Sequence, residues 1–211
     1  MTEPKGPNEF VDAAYHLEDE ASLVEFYRQW AEDYDHQMLD ELGYISPATL
    51  TGLLCRHLPD KNAAILDVGC GTGLTCVPLA EAGYRNLDGI DLSPEMVRVA
   101  AERGIYRELL VGDLNQALDR DDASYDGIVS TGTFTHGHVG PGPLDELFRI
   151  LKPGGILACS VHQDLWESMG FRVRFDALAD QGVATCLVLE HGSYYRDSPP
   201  EGWFCIYRKS A

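Results

Sequence analysis

The chain has 211 residues, 45% of them hydrophobic and 24% charged, which suits one globular domain with a modest N-terminal addition. No apolar run approaches the roughly 20 residues a membrane-spanning helix needs, and Met1-Thr2-Glu3-Pro4-Lys5-Gly6-Pro7 lacks the basic and apolar regions of a signal peptide, so no membrane partner and a cytoplasmic location are expected. With 16 basic residues against 34 acidic ones, the net charge is −18; that disfavours nucleic acid as a partner, because Lys and Arg supply most of the affinity for phosphates.

Residues 1–17 are polar and contain Pro and Gly. A helix is predicted over residues 21–36, with Leu23, Phe26, Tyr27, Trp30 and Tyr34 on one stripe. Ser46 reads as an N-cap with Pro47 at the first helical position. The helix that follows carries Leu50, Leu53, Leu54 and Leu58 on one face. From residue 63 the pattern alternates between strands and helices. Strands are predicted over 64–68, 86–91, 106–111, 125–130 and 156–161. Helices are predicted over 74–82, from Ser93-Pro94 to 102, over 143–151 and over 165–181. Pro78 falls early in its helix, where a missing N–H costs less. Lys152-Pro153-Gly154-Gly155 breaks the chain before the fifth strand. Two closing strands, 185–191 and 203–207, flank a polar loop and suit an antiparallel hairpin at a sheet edge. Such alternation implies βαβ units and a mainly parallel sheet with helices on both faces. We divide the chain into an N-terminal tail and helical segment, 1–60, and an α/β unit, 61–211.

The cysteines are Cys55, Cys70, Cys76, Cys159, Cys186 and Cys205, with no CxxC pair. A zinc knuckle or thioredoxin-type motif is therefore disfavoured. Cys55, Cys159, Cys186 and Cys205 lie in apolar runs and read as small hydrophobes in a reducing compartment.

In an open α/β sheet, ligands bind beyond the carboxyl ends of the strands. Gly69-Cys70-Gly71-Thr72-Gly73 lies there, between the first strand and a helix. Its third Gly comes one residue too early for the dinucleotide fingerprint, and no Gly-Lys-Ser/Thr of a P-loop is present. Asp67, two residues before the first Gly, suits the cationic amino group of an amino-acid-type ligand. Asp91, with Leu92 beside it, ends the second strand, where a carboxylate binds vicinal ribose hydroxyls. Met96 fits either an adenine face or core packing. After the third strand come Gly112, Asp113 and Leu114. Asp113 fits an adenine amino group, and equally a bare turn.

These segments resemble the motifs of class I S-adenosylmethionine (SAM)-dependent methyltransferases. Ile65-Leu66-Asp67-Val68-Gly69-Cys70-Gly71-Thr72-Gly73 resembles the first motif and Gly89-Ile90-Asp91-Leu92-Ser93-Pro94-Glu95-Met96 the second. Gly112-Asp113-Leu114 and Tyr125-Asp126-Gly127-Ile128-Val129-Ser130 match the third and fourth, and Leu151-Lys152-Pro153-Gly154-Gly155 is similar to the turn before the fifth strand. A narrower resemblance, to the Williams–Beuren-region methyltransferase-like family, rests on Tyr27-Arg28-Gln29-Trp30-Ala31-Glu32-Asp33-Tyr34-Asp35, Gly43-Tyr44, Gly132-Thr133-Phe134-Thr135-His136-Gly137-His138-Val139 and Glu201-Gly202-Trp203. The resemblance implies a Rossmann-like seven-stranded sheet, order 3-2-1-4-5-7-6, with strand 7 antiparallel and an N-terminal helical lid. It implies SAM as cofactor and S-adenosylhomocysteine as product. It also places Trp30, Tyr34 and Tyr44 near the cofactor, where aromatic rings attract a sulfonium.

Methyl transfer asks the protein mainly for positioning and exclusion of water. A base is needed only when the acceptor must lose a proton. The loop after the fourth strand should face the methyl group. There Thr131 is placed against the cofactor, and Phe134 and Thr135 against the acceptor. His136 and His138 are candidate general bases, since histidine titrates near neutrality. No further ligand set accompanies the pair, so no metal is expected. His162 and Tyr195 are further acceptor-side candidates. Tyr194 and Trp203 fit substrate contact or sheet packing, with packing favoured for Trp203. The expected acceptor is a small molecule. The rivals are methylation of a protein side chain, another SAM-using transfer, a non-catalytic SAM-binding module, and a nicotinamide oxidoreductase, which the glycine spacing disfavours.

Overall fold

The computed structural model describes residues 10, 11, 13, 17, 20–135, 139–199 and 201–211. Its strands are β1 (Ala64–Val68), β2 (Asn86–Asp91), β3 (Glu108–Val111), β4 (Tyr125–Phe134), β5 (Leu151–His162), β6 (Ala184–Gly192) and β7 (Gly202–Lys209). They form one sheet in the order β3-β2-β1-β4-β5-β7-β6. The pairs β1–β2, β1–β4, β2–β3 and β4–β5 are parallel. β7 runs antiparallel to both β5 and β6. The expected topology is thus observed. Its consequence is that the C-terminal ends of β1, β2 and β4 open at one edge of the sheet.

The helices are α1 (Glu20–Trp30), α2 (Tyr34–His36), α3 (Ser46–His57), α4 (Val77–Glu81), α5 (Pro94–Glu102), α6 (Leu144–Ile150), α7 (Gln163–Ser168) and α8 (Phe171–Asp180), with a π turn at Gln37–Glu41. Side chains alternate along each strand, and the two core clusters follow that alternation. Ile65, Val129, Ile156 and Ile206 pack with Leu50, Leu53 and Leu54 of α3. Their neighbours Leu66, Ile128, Leu157 and Cys205 point the other way, onto Phe148, Trp166, Phe171 and Phe175 of α6–α8. Burying each such side chain contributes about 1.5–3 kcal/mol. Asp126 closes the entry to the sheet. Its Oδ2 accepts the Ala64 backbone N–H at 2.9 Å and its carboxylate pairs with Lys152 at 2.9 Å. The fourth motif is therefore structural at this position.

Several elements differ from the sequence expectation. The helix expected over 165–181 is two helices, because Gly170 takes a left-handed φ of 81°. The first helix stops at Trp30, and the chain turns before α2 and the π turn. There the Asp33 N–H donates to the Trp30 carbonyl at 3.1 Å, a tighter turn that interrupts the helix, and the Trp30 indole N–H donates to Gln37 Oε1 at 2.8 Å. After the glycine loop only Val77–Glu81 is helical, since residues 71–76 form turns around Gly73, whose φ is 89°. Ser46 is not an N-cap. Ile45 holds that place and no side chain caps the helix. β4 runs four residues past Ser130, to Phe134, which carries the chain over the sheet edge toward the site. Among the described residues no helix is long and apolar enough to cross a membrane.

Candidate functional site

β1 delivers the glycine loop to the end of β2. The Gly69 and Cys70 N–H groups both donate to the Ile90 carbonyl, at 2.9 and 3.0 Å. Beyond them, Asp91 binds the loop to the start of α5. Its Oδ2 accepts the Gly71 N–H at 2.8 Å and its Oδ1 accepts the Ser93 N–H at 2.9 Å. Each oxygen keeps a lone-pair direction for a ligand. Burial raises the Asp91 pKa, and the Ser93 and Gly71 N–H groups oppose that rise. The glycines serve different ends. A Cβ on Gly69 would lie 2.1 Å from Thr133 Oγ1, so β4 packs directly on the loop. A Cβ on Gly71 would meet nothing within 4 Å. Its φ of 53° is instead what turns its N–H toward Asp91.

Asp67 lies beneath this loop with no exposure. The Tyr106 hydroxyl donates to its Oδ2 at 2.7 Å. Its Oδ1 is buried without a hydrogen-bond partner. Burial pushes the carboxyl up to about 7, against the Tyr106 hydroxyl and the Cys76 thiol, which pull it down; the Asp91 charge adds to the rise. A buried carboxylate with one oxygen unmet is costly alone and is a receptor for a cation. Tyr106 stays a phenol, because burial and the Asp67 charge hold its pKa well above the usual range. Sequence reasoning missed Tyr106. It sits before β3, outside any motif, and only the fold brings it under β1.

The third-strand residues are less exposed to a ligand than expected. Asp113 Oδ1 accepts the Asn115 N–H at 2.8 Å and its Oδ2 accepts from Gln116 at 3.2 Å, so the carboxylate is engaged within its own turn. Gly112 packs on Ile90. Cys70, Met96 and Leu114 are buried, Leu92 is half-buried, and Ser93 Oγ accepts the Met96 N–H at 3.3 Å.

The N-terminal segment is tied onto this cradle. Asp35 accepts from Thr72 Oγ1 at 2.6 Å and pairs with Arg103. Arg103 Nε also donates to the Thr72 carbonyl at 2.5 Å. Glu32 pairs with Arg98 on α5. Beyond these ties a shallow recess, open to solvent at its mouth, is lined by Val11, Met38, Gly132, Thr135 and six aromatic residues: Tyr27, Trp30, Tyr34, Tyr44, Tyr194 and Tyr195. The segment at Tyr44 is strapped to the chain after β6. The Ile45 and Ser46 N–H groups donate to the Tyr194 carbonyl at 2.8 and 3.2 Å. Thr131 Oγ1 lies 2.6 Å from Thr75 Oγ1 and joins the β4 end to the glycine loop.

Trp30, Tyr34, Tyr44, Thr135 and Tyr195 therefore meet around one recess, and Asp67, Gly69, Gly71, Gly73 and Asp91 around the adjoining loop. Two expected acceptor residues do not join them. Phe134 is fully buried on the opposite face of the sheet, with its ring 5.3 Å from that of Phe171. His162 caps α7, its Nδ1 accepting the Asp164 N–H at 3.3 Å, and does not line the recess. Trp203 packs on Trp166 at 5.3 Å, as expected of sheet packing. His136 and His138 lie outside the described residues. Among the described residues no cluster of His, Cys, Asp and Glu suits a metal ion.

Comparison with known proteins bears on this geometry. Residues 66–159 match the methyltransferase domain family. The human methyltransferase-like protein 27 is 33% identical over 174 residues, 81% of this chain and 70% of that protein. A ubiquinone biosynthesis O-methyltransferase of Maricaulis maris is 26% identical over 141 residues, and the chain spans only 55% of its length. An 18S rRNA (guanine-N(7))-methyltransferase of Arabidopsis thaliana is 41% identical over 66 residues, 31% of this chain and 22% of that protein. That last similarity leaves the expectation against nucleic acid without support from relatives. In fold, the chain is similar to a candidate SAM-dependent methyltransferase of Methanococcus maripaludis, with a TM-score of 0.64, 18% identity, and coverage of 87% of this chain and 94% of that one.

Proposed function

This chain belongs to the SAM-dependent methyltransferases, with SAM as its cofactor, and from that premise we propose that it methylates a small-molecule acceptor in the aromatic recess, releasing S-adenosylhomocysteine. The observation that carries the reading is the adjacency of two unlike sites. A polar cradle with an unmet buried carboxylate oxygen on Asp67 adjoins an aromatic recess at the end of β4. Bound in the cradle, SAM supplies a methyl group already activated on a sulfonium.

The protein's own part is positioning. Asp67 takes the ammonium group of the cofactor's amino-acid end, and the cation returns the carboxyl to its charged form. Asp91 takes the two ribose hydroxyls with the oxygen directions its backbone partners leave open. Leu92, Met96, Gly112 and Leu114 enclose the base, with Asp113 at the edge of that enclosure. Trp30, Tyr34, Tyr44 and Thr131 enclose the sulfonium and exclude water. Thr135 and Tyr195 face the acceptor. His136 and His138 follow Thr135 by one and three positions in the chain and are the candidate bases for an acceptor that must lose a proton. All six cysteines are free, which supports action in a reducing compartment such as the cytoplasm. A small acceptor is favoured over RNA because the net charge of −18 repels phosphates. The test is a methylation screen of a metabolite library with methyl-labelled SAM, beside a structured RNA. Label on a small molecule with stoichiometric S-adenosylhomocysteine is expected; label on RNA alone would overturn the acceptor class.

A further inference from the structure

We infer that Tyr106 is a positioning residue for the cofactor: its hydroxyl fixes one oxygen of Asp67 and leaves the other for the ammonium group of the cofactor's amino-acid end. The inference rests on the role proposed above for Asp67 and adds the residue through which that role is set.

The path of the tyrosine is built into the sheet. Asp67 on β1 stands in register with Gly89 on β2. With glycine at that place, β2 puts no side chain beside the carboxyl, and the Tyr106 ring fills the space. A Cβ on Gly89 would lie 3.1 Å from Tyr106 Cε1, and a Cβ on Gly73 would lie 2.9 Å from Tyr106 Cε2. The two glycines thus make room for the ring on both edges beside its hydroxyl. That hydroxyl donates to Asp67 Oδ2 at 2.7 Å, while Asp67 Oδ1 is buried without a hydrogen-bond partner. The chain on either side of the tyrosine is tied down as well. The Arg107 N–H donates to the Leu87 carbonyl of β2 at 2.7 Å, and Arg103 Nε donates to the Thr72 carbonyl of the glycine loop.

The setting makes this one bond matter. Among the described residues, the titratable groups that face Asp67 are Tyr44, Tyr106, Cys70, Cys76 and Asp91, none of them a cation. Burial pushes the Asp67 carboxyl up to about 7, and the Tyr106 hydroxyl opposes that rise more than any other group. Burial and the Asp67 charge keep Tyr106, Cys76 and Cys70 protonated. The hydroxyl therefore donates across the neutral range and favours the charged carboxylate, the form that binds a cation.

Calorimetry across pH with two ligands tests this: S-adenosylhomocysteine, which carries the amino-acid end, and 5′-methylthioadenosine, which lacks it. Tyr106→Phe keeps the ring between the glycines and removes only the hydroxyl. Less of the Asp67 carboxyl is then charged at pH 7, and S-adenosylhomocysteine should bind about fivefold weaker there. The gap should shrink below about twofold by about pH 8.5, where the carboxyl is largely charged in both proteins. Affinity for 5′-methylthioadenosine should be unchanged. In an Asp67→Asn background, Tyr106→Phe should weaken S-adenosylhomocysteine binding no further. A loss that is equal at every pH, that falls equally on 5′-methylthioadenosine, or that persists in the Asp67→Asn background marks a merely structural tyrosine and overturns the inference. Wild-type affinity for S-adenosylhomocysteine in Tyr106→Phe at pH 7 overturns it too, and leaves Asp67 its role. Wild-type affinity in Asp67→Asn overturns the reading of Asp67 itself, and the inference with it.

Discussion

The cradle at the ends of β1 and β2 is held by hydrogen bonds from the glycine loop to the end of β2, whereas the recess beside it is walled by side chains from distant stretches of chain. Gly69, Cys70 and Gly71 are each fixed by one hydrogen bond to the end of β2. Tyr27 to Tyr44, Gly132 to Thr135, and Tyr194 with Tyr195 meet only in the fold. The difference separates two kinds of requirement. The cofactor is a fixed shape and needs fixed donors. On the proposed function, the acceptor would be selected by the side chains of the N-terminal segment and of the loop at Tyr194–Tyr195, which lie outside the sheet.

The boundary between recess and core is sharpest at β4, and the largest expected effect lies there. Phe134→Ala should cost about 3–5 kcal/mol of stability by opening a cavity against Phe171. Thr135→Val, one residue on, should change unfolding free energy by less than about 1 kcal/mol and alter the acceptor KM. Denaturant unfolding and steady-state kinetics read the two. If Phe134→Ala left stability intact and changed only the acceptor KM, the core assignment would fail.

Next in size is the cradle. Asp91→Ala removes the proposed ribose partner and frees the Gly71 and Ser93 N–H groups together. Affinity for S-adenosylhomocysteine should fall about 100-fold, near 2.7 kcal/mol. Asp113→Ala, engaged in its own turn, should stay within about threefold. Comparable losses at both positions would show that Asp113 reaches the cofactor despite its turn contacts.

Asp67 gives a smaller effect with a distinctive sign. Its folded pKa of about 7 lies above the roughly 3.9 of an unfolded Asp. A raised acid stabilises the fold below its unfolded pKa, and that contribution is lost as pH rises through the folded pKa. Without cofactor, Asp67→Asn should therefore melt higher than wild type above pH 7, by about 1–3 kcal/mol, and the gap should close as pH falls toward 4. Cofactor affinity should move oppositely, tenfold weaker in the variant and weakening in wild type below pH 7. Thermal melts and calorimetry across that range decide it; a pH-independent gap would remove Asp67 as the titrating group.

The same contrast explains what the sequence disclosed. The glycine loop, Asp67 and Asp91 were legible because each sits at a strand end within a contiguous motif. Strand order followed from the resemblance, while helix breaks were less legible. Gly170 looks like any glycine in an amphipathic run until its φ turns positive. Tyr106 left no signal, since its partner is 39 positions away; Thr133 stands within a recognised motif, but its bond to Val68, 65 positions away, exists only in the fold. The lid aromatics showed as a helical stripe, which could equally have been core. Phe134 was misplaced because β4 runs on to it and sends its side chain into the core against Phe171, whereas Thr135 lies just past the end of the strand and lines the recess.

The smallest expected effect concerns the link between the two regions. Asp35 joins the lid to the glycine loop through Thr72 and Arg103, across 37 and 68 positions of sequence. Its partners Thr72 and Arg103 are largely screened from solvent, so removing the carboxylate leaves the Arg103 charge with only the Thr72 carbonyl. Asp35→Ala should weaken S-adenosylhomocysteine binding only about threefold, because the cradle's own hydrogen bonds remain. The acceptor KM should rise more, since Trp30 and Tyr34 lose their anchor, and α1 should become more sensitive to limited proteolysis. Glu32→Ala, which cuts the more exposed pair to Arg98, should do less on every measure. Were Asp35→Ala to abolish cofactor binding outright, the lid would belong to the cradle itself, and the division between the two regions would have to be redrawn around Thr72.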